Sequence, residues 1–223
     1  MMRLSNGILA LAAAALLSLG AAAAAGAQTA SSASRMYPEI HSREIGYHTS
    51  LHLNQWVMAL SYRTNFALPA TDFGGYFSFM EREGTGSLMG LGMDVRHLLT
   101  PAPVAGAPGG IDMAAVAGIH IAGKEIFSGD TDQAAVTVPL GVTLGRWITE
   151  GGRVFVHPRV EFSSQRNICD DLREERCVTR WIPKLEAGAQ VRINPTLIFG
   201  ASVLTGDTRI SRPGFAMGVT WGW

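Results

Sequence analysis

The chain has 223 residues, 47% hydrophobic and 16% charged, and its 18 basic and 18 acidic side chains cancel to zero net charge. That length suits one domain. Neutrality without a Lys/Arg stripe excludes an electrostatic nucleic-acid binder, and beyond the N-terminus no stretch is apolar for long enough to make a transmembrane helix. A membrane could be crossed with strands alone.

The N-terminus reads as a secretory signal peptide over residues 1–27. Arg3 supplies the positive end, Ile8 to Leu19 the apolar run, and Ala25, Gly26 and Ala27 the small residues a signal peptidase needs. Residues 28–42 are small and polar and read as a flexible lead-in. Residues 43–223 then form a series of alternating segments broken by Gly, Pro, Asn and Asp clusters, the pattern of consecutive antiparallel strands.

In chain order, Arg43 to Leu53 alternates most faintly, and Gln55 to Thr64 and Phe73 to Met80 only roughly. Leu88 to Leu99 is clearer, setting Met89, Leu91, Met93 and Val95 against Gly90, Gly92, Asp94 and Arg96. Asp112 to Gly123 sets Met113, Ile119 and Ile121 against Ala114, Gly118 and His120. Gln133 to Ile148 sets Val136, Val138, Leu140, Val142 and Leu144 against Thr137, Gly141, Thr143 and Gly145. Arg153 to Ser163 opposes Val154, Val156, Val160 and Phe162 to His157, Arg159 and Glu161. In Arg180 to Ile193, Trp181, Pro183, Leu185 and Ala187 alternate with Lys184, Glu186, Gly188, Gln190 and Arg192. Thr196 to Thr205 and Phe215 to Trp223 complete about ten strands, or eight if the first pair stays out of the sheet. An even number is expected of a single-chain bacterial barrel. Pro139, Pro158 and Pro183 interrupt predicted strands and need bulges or rims. Trp147 and Phe155 fall on the polar parity, which suggests a register slip at the Thr149–Gly152 turn.

The pattern fits two barrels: a soluble one with its apolar face inward, or a membrane one with that face in lipid. The second is favoured on three grounds. The non-apolar face is crowded with glycines, which suit a narrow lumen better than a wet surface. Several segments reach the roughly 9–11 residues of a tilted membrane strand. Aromatics also gather toward strand ends (Trp56, Tyr62, Phe73, Phe162, Trp181, Phe215, Trp221, Trp223), where rings meet headgroups.

The last segment carries a resemblance. Phe215, Met217, Val219, Trp221 and Trp223 point one way, and the chain stops on an aromatic. This resembles the terminal strand of small Gram-negative outer-membrane β-barrel proteins, whose closing aromatic serves the insertion machinery. The resemblance implies a closed antiparallel up-and-down transmembrane barrel in the bacterial outer membrane. It also implies an insertion signal of Phe215, Val219, Trp221 and Trp223, and as partners the assembly machinery, outer-membrane lipid and lipopolysaccharide. It names no external ligand.

The polar face gathers Arg63, Asp94, Arg96, His120, His157, Arg159, Glu161, Lys184, Glu186, Gln190 and Arg192. Mixed signs on neighbouring strands read first as an internal salt-bridge network and second as the lining of a narrow channel. A lipid-modifying hydrolase or acyltransferase is the third reading. It needs a nucleophile beside a carboxylate-held His, and His157, Glu161 and Ser163 are the weak candidates. His48 and His52 stand apart and are expected at the surface. Cys169 and Cys177 share one loop, and an even count in an exported chain predicts a disulfide. The charged run they enclose, Asp170 to Arg176, is the best placed for recognition. No cofactor or metal is called for. The expected role is structural or surface-interacting, carried by the external loops.

Overall fold

The computed structural model describes residues 43–52, 55–66, 68, 70–82, 86–100, 109–123, 134–166, 178–205 and 214–223. The signal peptide, the lead-in and the pairing of Cys169 with Cys177 lie outside the described residues. Ten antiparallel strands follow one another: β1 Arg43–His52, β2 Gln55–Thr64, β3 Thr71–Arg82, β4 Gly86–Leu98, β5 Ile111–Gly123, β6 Ala134–Trp147, β7 Gly152–Arg166, β8 Val178–Arg192, β9 Leu197–Thr205 and β10 Gly214–Gly222. Each pairs with its sequence neighbours, and β1 pairs with β10, so the sheet closes into a barrel. The eight-stranded alternative is thereby overturned. The faint first segment joins the sheet on both sides, with Tyr47 opposite Leu60 on β2 and Val219 on β10.

Both chain ends of the barrel lie together, tied by Arg43 N–H donating to Trp223 O at 3.0 Å and Trp223 N–H to Arg43 O at 2.9 Å. The connections at this terminal end are 65–70, 99–110, 148–151 and 193–196; those at the opposite, loop end include the long segments 124–133, 167–177 and 206–213. Asn194 makes the β8–β9 turn tight, its Oδ1 accepting from Thr196 N–H at 2.9 Å and Leu197 N–H at 2.8 Å. An Asn side chain mimics a backbone turn in this way.

The polarity of the wall is the reverse of a soluble protein's. Inward Arg96, His120 and Thr137 are 0% exposed, while outward Leu60, Met93 and Trp181 are 57%, 66% and 61% exposed. Aqueous solvent would select against such a belt, and a bilayer selects for it. The soluble-barrel alternative fails on this count. Aromatic rings collect in two rims. Tyr62, Phe73, Trp221 and Trp223 lie at the terminal end, and Trp56 and Trp181 at the loop end, all outward. Within the rims Trp221 meets Trp223 at 5.9 Å and Phe162 meets Trp181 at 5.0 Å between centroids.

The prolines are accommodated without a change of register. Opposite Pro139 the β5–β6 ladder skips from Ala117↔Leu140 to His120↔Thr137. Next to Pro158 the β6–β7 ladder skips from Gly141↔Arg159 to Leu144↔Val156. Each missing N–H costs rungs on one side, while the other flank of each proline stays paired. Pro183 lies beyond the paired part of β9, where β8 projects past its neighbour. There is no slip at the Thr149–Gly152 turn, since Trp147 pairs with Arg153 and continues the same register. Trp147 and Phe155 face inward, 4% and 3% exposed.

Candidate functional site: the filled lumen

The lumen is layered. At the loop end most inward side chains are apolar (Val57, Met80, Leu88, Ala122, Ile182, Leu204 and Ala216), and all of these are buried. Val57, Ala59, Met80 and Leu88 form one contiguous cluster. This collar explains the rough alternation of β2 and β3: both faces are apolar there, so period two fades.

Histidines and hydroxyls occupy the middle. Tyr76 stacks on His120 at 5.5 Å between centroids, and Ser78 Oγ lies 3.2 Å from His120 Nε2. Thr143 Oγ1 lies 2.8 Å from His157 Nδ1. His48, expected at the surface, is 1% exposed here and lies inside. Its strand has the same polarity as the rest of the wall, with Glu44, Gly46, His48 and Ser50 inward and Ile45, Tyr47 and Leu51 outward.

Charges fill the terminal end. Arg63 pairs with Asp72 and Asp94, and Arg96 with Asp72 and, at 3.6 Å, with Glu44. Across the barrel Arg153 pairs with Asp112, and Trp147 receives the guanidinium of Arg153 at 5.4 Å and that of Arg192 at 4.6 Å. A third group climbs the β7–β9 wall. Arg159 donates to Glu161 at 2.9 Å and to Glu186 at 3.0 Å, Lys184 reaches Glu161 at 2.7 Å, and Ser202 donates to Glu186.

Among the described inward residues the acidic set is Glu44, Asp72, Asp94, Asp112, Glu161 and Glu186. The basic set is Arg63, Arg96, Arg153, Arg159, Lys184 and Arg192. Among these described residues the two sets are equal, so they supply no excess of either sign to select an ion. Sequence reading missed Glu44, Asp72, Asp112 and Arg153. Each sits within two residues of a strand end, where a charge resembles a turn residue, and carrying the strand parity outward would have found them.

Glycines make the fit. A methyl added to Gly92 would overlap Tyr76, one on Gly74 would overlap Arg63, and one on Gly188 would overlap Phe155. Each large side chain lies flat across the glycine directly opposite it on the next strand. The bore is therefore occupied by the wall's own side chains.

The catalytic candidates do not come together. His157 and Ser163 share a face of β7, but six residues of strand rise separate them by about 20 Å. Glu161 is engaged by Arg159 and Lys184, and His157 turns its Nδ1 to Thr143. Among the described residues no cluster of three His, Cys, Asp or Glu side chains is placed to hold a metal.

Fold and lumen together define a transmembrane β-barrel with a filled interior. No family model matches the chain, and no curated protein matches it. Among solved structures it is similar to the KdgM porin, at 6% identity and TM-score 0.45, over 81% of this chain and 99% of that one. It is also similar to a bacterial polysaccharide outer membrane secretin, at 8% identity and TM-score 0.44, over 83% and 77%. The translocator domain of the autotransporter NalP from Neisseria meningitidis aligns at 9% identity and TM-score 0.39, over 84% and 91%.

Proposed function

We propose that the chain is an integral outer-membrane protein whose barrel is an anchor, and that the segments at the loop end are its working surface. The observation that carries this reading is the packed lumen. Its described charges are matched in sign and number, its described inward side chains are almost wholly buried, and glycines of the wall are overlaid by neighbouring side chains. Setting the terminal end in the periplasm puts 124–133, 167–177 and 206–213 outside, where long loops of such barrels lie, and leaves 99–110 as the one long connection on the periplasmic side. The charged run from Asp170 to Arg176, flanked by Cys169 and Cys177, would then face lipopolysaccharide or an external partner. An acyl hydrolase draws no support from His157, Glu161 and Ser163.

Two measurements test this. Purified barrel reconstituted in planar bilayers should show no steady conductance, and stable open steps would overturn the anchor reading. Leu140→Arg, at the middle of the outward face, should destabilise the folded barrel in vesicles by about 2–4 kcal/mol. An unchanged unfolding midpoint would mean that this face does not meet lipid.

A further inference from the structure

The closing seam, where β1 meets β10, contains a group of polar side chains of which only Glu44 also belongs to a salt-bridge cluster. Gly46 lies at its centre. Ser61 faces Gly46 from β2, Thr220 faces it from β10, and Glu44 and His48 flank it on β1. All four side chains are buried, at 6%, 0%, 2% and 1% exposure. Four of their polar atoms lack a protein hydrogen-bond partner: Ser61 Oγ, Thr220 Oγ1, Glu44 Oε1 and His48 Nε2. A methyl on Gly46 would fall 2.6 Å from Ser61 Oγ and closer still to His48 Nε2, so these two atoms converge over the glycine.

Ser, His and Glu side by side suggest a charge relay, and the ring orientation excludes it. His48 lays Nδ1 over Gly218 on the β10 side, so its second nitrogen is turned away from Glu44. Glu44 instead faces Arg96. A metal ion suits the site poorly, since Arg63 and Arg96 already balance much of the nearby acid. What remains is a small neutral molecule that both donates and accepts.

We propose that the seam holds an ordered water site over Gly46, bound by Ser61, Thr220, His48 and Glu44. Buried waters typically make about three hydrogen bonds to polar groups that would otherwise be unsatisfied. Here two hydroxyls can donate, while a carboxylate oxygen and an imidazole nitrogen can accept. Leaving such atoms bare forfeits the full desolvation cost of each, which is ample to retain solvent. The site joins three strands across the one place where the first and last strands of the barrel must find each other.

The test is a double-mutant cycle on the full barrel refolded in vesicles, using Ser61→Ala and Thr220→Val. Ser61 and Thr220 flank β1 from opposite sides, two strand spacings or about 10 Å apart, and so do not touch directly. With a shared water, each single variant lowers the folded-to-unfolded ratio about tenfold, and the double variant lowers it little further. Independent effects, multiplying to about a hundredfold, would overturn the proposal. Crystals grown with thallium in place of potassium give the second readout. A peak at hydrogen-bonding distance from at least three of the four atoms, without anomalous signal, supports water. An anomalous peak, or direct pairing of Ser61 with His48, would overturn it.

Discussion

The two ends of the lumen are sealed by different physics. At the loop end the collar of Val57, Met80 and Leu88 is held by volume alone. At the terminal end Arg63, Asp72, Asp94 and Arg96 are held by direction and charge, with Arg63, Asp72 and Arg96 each engaging two partners. An apolar layer tolerates rearrangement if its volume is kept. A buried ion cluster does not, because removing one member strands the rest in low dielectric. The floor is therefore the specified part of the interior and the collar the adaptable part.

The largest expected effect follows at the floor. Arg63→Ala leaves Asp72 with Arg96 alone and deprives Asp94 of its guanidinium, and should cost about 3–5 kcal/mol in reversible urea unfolding. A loss under 1 kcal/mol would place that cluster in effective contact with water and erase the contrast. Between the layers, Gly92→Ala pushes a methyl into the Tyr76 ring and should cost about 1–3 kcal/mol. The companion change Tyr76→Ala should relieve the clash, which a double-mutant cycle would register. Smallest is Met80→Leu in the collar, a volume-conserving exchange expected to cost less than about 1.5 kcal/mol. A larger loss there than at Arg63 would invert the comparison.

The strands of the second half were legible because there the two faces differ in kind. Val154, Val156 and Val160 against His157, Arg159 and Glu161 leave one reading of β7. The first half hid its parity. Val57 and Met80 bring apolar side chains inside, and His48 sits on a strand where single polar residues look like surface. Local pattern could place Arg159 and Glu186 on one face but not pair them; their contact depends on the β7–β8 register, which sets His157 opposite Glu186. Trp147 and Phe155 look like errors of phase because an aromatic seems to belong in lipid. Inside, one receives two guanidinium groups and the other covers Gly188. Nothing in a linear pattern announces either contact.

The two ladder interruptions share β6, since Pro139 breaks its rungs toward β5 and Pro158 breaks those toward β7. A closed wall has no free margin, so gaps inside its ladders are where solvent can work at it, and among the described strands β6 alone carries a gap on both flanks. Within the interior of β6, amide exchange should be fastest around Val138 and Val142, where the rungs are missing, and slower toward either end of the strand.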